Sequence, residues 1–492
     1  MRIEPRPLLW LRRVLWPVTV LAATGCSSIH YPLNVPLNVP LNVPISAAGQ
    51  ASQNEKGYAI RHLPATDNSD SLLLIASFSG GGYRAAAMAF AVMEVLAETE
   101  IVWDGRRGTL MQELDAISAV SGGSLAAAYF ARDPGDFLQS FRGRVLDFNL
   151  QAALLSRVLS PSGLWRQTSP TYGRGDLLAE VLDQHIFAGL TYADLPRRRP
   201  MVSVNATNLR FGERFEFSQD QFDHLCSDLN PFPVARAVAA SMAVPLLLSP
   251  ITLWNHKDNC AGPVATVPVR GRAASSRYIH LVDGGLADNT GVHAVLENVA
   301  VNGGLVRAGL ANGFRGVRKR VFFVVNAQVN ADQPADQSPD TPGLLRQLQS
   351  VVDVPIDRHS DTSMQLLQDA VRQWQGEVRA GSDAATQLDP QDFTVIEINM
   401  ARAHDAVGGE EVKQIPTGLV IRPDQIETIR RFVRNELALN PQWQRLKREL
   451  QDGLPSVAQA CGSLPAVDDP TDRSLDPSGG RRRLRGRCGH DQ

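Results

Sequence analysis

The feature that most constrains this chain is a serine at the junction of an apolar run and a run of small residues. Asp115 to Val120 reads as a short buried strand, and Gly122 to Ala131 reads as a small-residue helix, with Ser121 between them. A strand that passes straight into a helix through a serine needs a tight, strained turn, and that turn lifts the hydroxyl clear of the sheet end. Strand and helix approach closely there, so small neighbours are required, and glycine tolerates the strained angles. The following helix aims its unpaired N–H groups and the positive end of its dipole at the serine. The competing reading is a Ser-Gly-Gly-Ser loop with Ser121 as an ordinary helix N-cap. The usual form of such a turn is Gly-x-Ser-x-Gly, and Ala119 stands where its first glycine would be. Ser118 belongs inside the strand and Ser124 inside the helix, so neither occupies the apex.

Two more segments share the logic of a strand that ends in glycine. Ser71 to Ser77 is a short apolar run consistent with a buried parallel strand; Gly80, Gly81 and Gly82 follow, and Ala85 to Glu98 is rich in helix formers. A glycine loop between strand and helix turns several N–H groups toward one point, a nest for a phosphate or for the oxyanion of a tetrahedral intermediate. No Gly-Lys-Ser/Thr follows, and the spacing of a dinucleotide fingerprint would need glycine at Ala85 or Ala86. Arg84 either contacts a lipid phosphate or stiffens the loop. Further on, Arg277 to Val282 reads as a strand that ends in Asp283-Gly284-Gly285. A carboxylate at the carboxyl end of a strand is placed for chemistry in a parallel α/β sheet, and Asp283 could take the serine proton directly. The alternative is a plain Asp-Gly-Gly turn. Asp288 reads as a second turn or cap residue.

Taken in this order, Gly-Gly-Gly-x-Arg, the serine turn and Asp-Gly-Gly resemble the patatin-like phospholipases. The resemblance implies an α/β fold with a mostly parallel central sheet between helices. It also implies a serine–aspartate dyad without histidine, acting on lipid acyl esters with no cofactor. Residue by residue, Ser121 matches the nucleophile and Asp283 the base, while Gly80, Gly81, Gly82 and Arg84 match the oxyanion loop. Asn205 to Leu209, after a strand at Met201 to Val204, resembles an Ala-Thr-Asp-Leu segment of the family, with Asn208 in place of the aspartate. Ala235 to Pro250 resembles the helix and apolar turn that pack beside the site. The resemblance spans Ser71 to Gly291 and continues more faintly to Leu437; it departs at Ala119, and at Ala85, where a glycine often follows the arginine.

The remainder sets the organisation. With 492 residues, 43% of them hydrophobic, the chain can bury a large core, and its near-balanced charge of −2 gives no sign of a nucleic-acid partner. The start reads as a secretory leader over residues 1–25. A basic stretch ends at Arg13, and the apolar run Val14 to Ala23 is too short to span a bilayer. Ala23-Thr24-Gly25-Cys26-Ser27 resembles a bacterial lipobox, which implies a lipidated Cys26; Ser27 favours sorting to the outer membrane, facing the periplasm. The alternative is secretion with Cys26 unmodified. Pro-Leu-Asn-Val occurs three times between Pro32 and Val43. Proline every fourth residue breaks helix and sheet, so residues 26–70 are expected to be an extended tether. The hydrolase domain is expected over 71–440, with a C-terminal helix and a basic disordered tail over 441–492. Cys226, Cys260, Cys461 and Cys488 allow three disulfide pairings, and no two cysteines have the close spacing of a zinc site.

Between the motifs, Asp147 to Asp194 is mixed, with a loop expected at Ser160–Gly175, and forms either a lipid-facing lid or a surface connection. Asn255 to Ser276 is a polar insertion and Asn330 to Pro342 a flexible loop. Strands are expected at Val321–Val325 and Phe393–Ile398, and helices at Thr341–Val378 and Pro423–Leu437. In the last of these, Ile426, Ile429, Phe432, Val433 and Leu437 form a stripe suited to core packing. His293 and His280 read as structural. Two other functions stay open. A Ser-His-Asp esterase or thioesterase would use His404, and a non-catalytic envelope lipoprotein would keep the fold without the reaction.

Overall fold

The structure is a computed structural model that describes residues 35–36, 57–256, 276–329, 343–379, 392–403 and 408–452. Cys26, Cys260, Cys461, Cys488, His404, most of the Pro-Leu-Asn-Val repeat, the Asn330–Pro342 loop, most of the insertion before Asp283 and the basic tail lie outside the described residues. Within the repeat, Val35–Pro36 pairs antiparallel with Ser227–Asp228.

Strands of one sheet are β1 Leu72–Phe78, β2 Leu114–Val120, β3 Met201–Asn208, β4 Glu213–Glu216, β5 Ile251–Trp254, β6 Tyr278–Val282, β7 Lys319–Asn326 and β8 Phe393–Asn399, most of them apolar runs and β4 the charged run Glu-Arg-Phe-Glu. Among the described residues their order is β8-β7-β1-β2-β3-β6-β5, with β4 also on β3. The five strands from β8 to β3 are mutually parallel, whereas β4, β5 and β6 join antiparallel. Runs such as Val-Phe-Phe-Val-Val in β7 are apolar throughout because both faces of a parallel sheet are covered. One face carries α1 Gly82–Glu98 and α2 Gly122–Arg132, whose alanines allow close approach to Ala76, Phe78, Ile117 and Ala119. The other face packs Phe322 and Val324 against Met364, Leu367 and Trp374 of the long helix α7 Leu344–Arg379. The result is the α/β layered fold that the sequence implied.

The edges differ from the sequence reading. Tyr58 and Leu63 are buried in the core, and Val202 N donates to the Tyr58 hydroxyl at 2.9 Å, so residues 57–70 belong to the folded body and not to a tether. At the other end, α8 Pro423–Leu439 buries its Ile426, Ile429, Phe432, Val433 and Leu437 stripe as expected, and α9 Pro441–Gln451 adds Trp443, Leu446 and Leu450 to the same core. The boundary at 440 is therefore corrected outward. The loop expected at Ser160–Gly175 contains helix α4 Pro161–Arg166, preceded by α3 Leu150–Leu159 and followed by α5 Arg174–Leu182. Ser160 caps α4 by accepting from Gly163 N, with proline at the first helical position.

Candidate active site

The site begins with a register. β1 and β2 run parallel but slip at Leu74/Ile75, where Leu74 faces Leu114 and Ile75 faces Ala116. Asp115 is the extra residue of that bulge. Its carboxylate accepts Leu74 N at 2.9 Å and Asn68 Nδ2 at 2.7 Å, and pairs with the buried Arg199 at 3.2 Å. Beyond the bulge Phe78 lies opposite Ala119, so the glycine loop leaves β1 beside the point where Ser121 leaves β2.

Ser121 sits at φ 49°, ψ −122° between β2 and α2. Positive φ is uncommon for a non-glycine residue, and such strain persists only where the surroundings enforce it. Gly122 and Gly123 allow the crowding, since a Cβ on the first would strike Gly82 O and on the second Ser79 O. The N-cap reading is not borne out, because the Ser121 side chain makes no capping bond. Its Oγ donates instead to Asp283 Oδ2 at 2.8 Å.

Asp283 reaches that position by a route the sequence does not suggest. β6 runs antiparallel to β3, with Leu281 opposite Asn208 and Val282 opposite Thr207. β3 continues through Asn208, so Asn205 to Asn208 form its end and not a segment after it. β6 comes back down that end and delivers Asp283 to the level of Ser121. Asp283 N donates to Ala243 O at 2.9 Å, and Asp283 Oδ1 accepts Gly285 N at 2.8 Å. Burial pushes the Asp283 carboxyl up to about 6, opposed by the Gly285 amide and the Ser121 hydroxyl. Asp288 caps the turn, accepting from Thr290 N, Thr290 Oγ1 and His293 N. His293 Nε2 lies 3.0 Å from Ser363 Oγ, and His280 Nδ1 lies 2.9 Å from Thr252 Oγ1. Among the described residues no histidine hydrogen-bonds to Ser121 or Asp283.

The glycine loop is braced from two sides. Gly80 N donates to Asn289 O at 3.0 Å, which takes Gly80 out of the set of free donors, and a Cβ on Gly80 would strike Asn289 Oδ1. Gly81 at φ 133° and Gly82 at φ 60° turn the chain into α1, which starts at Gly82 and not at Ala85. Their amides form the free first turn of that helix. Behind them Tyr83 N donates to Gly418 O at 2.8 Å, and buried Arg84 donates through Nη1 to Ile415 O at 2.6 Å. Arg84 therefore supports the loop; its guanidinium is turned toward protein backbone.

Ser241 is the residue that sequence reasoning missed. It ends α6 Val234–Ser241, and its Oγ accepts Ser121 N at 2.8 Å while donating to Asn205 O at 2.5 Å. Its carbonyl accepts Gly284 N at 3.1 Å. The one signal was a lone hydroxyl in the alanine-rich stretch Ala235–Ala243. Among the described residues no cluster of His, Cys, Asp or Glu is arranged for a metal ion, and Cys226 is disulfide-bonded.

A serine on a strained strand-to-helix turn, a buried carboxylate on its hydroxyl and a glycine nest alongside define the acyl-transfer class of α/β site. Residues 76–296 match the family model of patatin-like phospholipases, and over that stretch the chain carries a patatin-like phospholipase domain. That family supports lipid acyl hydrolase activity. Among solved structures, the human GIVD cytosolic phospholipase A2 is similar at 13% identity and a TM-score of 0.42, over 84% of this chain and 68% of that one. VipD from Legionella pneumophila is similar at 15% identity and a TM-score of 0.32, over 77% of this chain and 67% of that one. No curated protein matches the chain.

Proposed function

We propose that the protein hydrolyses lipid acyl esters, of the phospholipase A or lysophospholipase kind, through a Ser121–Asp283 dyad. The observation that carries this is the 2.8 Å bond from Ser121 Oγ to Asp283 Oδ2, made from a strained backbone position between strand and helix. Ser121 Oγ attacks the ester carbonyl as its proton passes to Asp283. The amides of Gly81 and Gly82 receive the developing oxyanion, and the proton returns to the departing alcohol. Water, deprotonated by Asp283, then attacks the acyl-enzyme, releasing the fatty acid and free Ser121. The substrate class follows from the family.

The test is hydrolysis of a phospholipid panel by Ser121→Ala and Asp283→Asn. Each is expected to lose about 10³-fold or more while keeping its melting temperature within a few degrees. Activity retained in Ser121→Ala overturns the reading. In the same reading Cys26 carries the lipid that anchors the protein at the outer membrane, facing the periplasm. Its motive is the short apolar run and the small residues before the cysteine. Mass spectrometry of the mature N-terminus tests it, and an unmodified Cys26 rejects it.

A further inference from the structure

The hairpin of α3 and α4 carries an outward apolar face. Leu155, Leu159, Leu164 and Trp165 are 54%, 61%, 54% and 47% exposed. Both ends of the hairpin are tied to the loops that frame the catalytic pair. Gln151 N donates to Leu419 O at 3.3 Å, next to Gly418, which braces the glycine loop. Beyond α4, Arg174 Nη2 donates to Leu246 O at 3.0 Å and Gly175 N to Ser249 Oγ at 2.8 Å, in the loop whose Ala243 O holds Asp283 N. That loop adds Leu246 and Leu247, about half exposed, and Leu246 stands at φ 73°. Val420 continues the rim beside Leu419. A half-exposed leucine in the left-handed region is unfavourable in water on two counts, its surface and its backbone.

Charge says what covers this rim. From Phe148 to Gly175 the chain holds Arg157, Arg166 and Arg174 and no Asp or Glu, in a protein where acids outnumber bases 51 to 49. Glu180 neutralises Arg166. Arg157 bonds to the neutral amide of Gln184, and Arg174 to a backbone carbonyl, so among the described residues neither is paired with a carboxylate. Leucines and a tryptophan flanked by arginines form the composition that enters a headgroup layer, with the cations drawn to anionic lipid.

We infer that the α3–α4 hairpin, with Leu246, Leu247 and Val420, docks the protein on an anionic phospholipid surface. This rests on the reading of the site as a lipid acyl hydrolase, and it adds where the bilayer sits. The surface lies against the mouth of the site, so an acyl ester passes from headgroup layer to Ser121 beneath the rim.

The test is hydrogen–deuterium exchange of the full chain carrying Ser121→Ala, with and without vesicles of phosphatidylglycerol and phosphatidylcholine in equal parts. Exchange over 150–166 and 244–249 is expected to slow on these vesicles, and less on pure phosphatidylcholine or in high salt. In the active protein, Leu159→Glu with Trp165→Glu is expected to lower vesicle hydrolysis roughly tenfold or more, with a soluble short-chain ester changed less than about twofold. Unchanged exchange on vesicles overturns the inference. So does protection that rises with protein concentration without lipid, which would mark a second copy as the occupant, and so do equal losses on both substrates. Lipid-dependent protection in a wild type that cleaves neither ester would keep the docking face and reject the catalytic reading.

Discussion

The nucleophile's own amide is held by one hydroxyl, that of Ser241. Removing it leaves two buried partners, Ser121 N and Asn205 O, each short of a bond, at a cost of about 1–3 kcal/mol. Because the strained turn is what loosens, Ser241→Ala is expected to lower kcat by about 10–100-fold with KM little changed, and Ser241→Thr to restore most of it. Equal shifts in kcat and KM, or no rescue by threonine, would reject this positioning role. Asp283 sets the pH dependence. As the proposed base it must be ionised, and burial lifts its pKa to about 6. The rate kcat/KM is therefore expected to climb through about pH 6 and to fall about tenfold per unit below it. A flat profile between pH 5 and 7 would remove Asp283 from the base role. The same shift bears on stability. The folded value is raised, so protonated Asp283 favours the fold, and that contribution is full below the ordinary carboxylate range and lost as pH rises through 6.

Among the elements, the bulge between β1 and β2 sets the spacing of loop and nucleophile. Burial pushes the Asp115 carboxyl up, while the Leu74 amide and Arg199 hold it down, so the group is kept by its partners. Asp115→Ala would leave Leu74 N, Asn68 and buried Arg199 with lost bonds, a loss expected to reach about 3–5 kcal/mol. Thermal melting measures it. A change of only a degree or two would show that the register does not depend on this carboxylate. Nothing in the run Glu113 to Val120 marks the bulge beforehand. The strands themselves are legible, because apolar stretches ending in glycine or polar residues have few other uses. Direction is not, since Arg277 to Val282 reads the same whichever neighbour it meets. The antiparallel β6 emerges only from pairing with β3. Helix α4 was hidden for a local reason: Ser160-Pro161-Ser162-Gly163 has the composition of a loop, yet serine at the cap and proline after it start a helix. Ser121 and Asp283 were legible because each stands where a strand stops before glycine, whereas Ser241 sits at the end of an alanine-rich helix with no such mark.

On the scale of the whole molecule, the fold closes with its last described helix. Trp443 packs edge-on to Phe323 at 5.7 Å, and Leu446 and Leu450 are buried beside it. Each such side chain contributes about 1.5–3 kcal/mol, a large share of ordinary domain stability. A chain ending at Asn440 is expected to melt about 5–10 °C lower or to be recovered only as aggregate, because the same loss shifts the midpoint of a large body less than that of a small one. An unchanged melting temperature would return the boundary to 440. The brace behind the glycine loop has a consequence for when the protein becomes active. Ser121 and Asp283 are 162 positions apart, and Ile415 and Gly418 come later still. While the chain is being made, the serine emerges with no proton acceptor, and the loop emerges with no backing. In the proposed mechanism the pair exists only once both segments have been made and folded together, and a half-synthesised chain carries Ser121 as an inert hydroxyl.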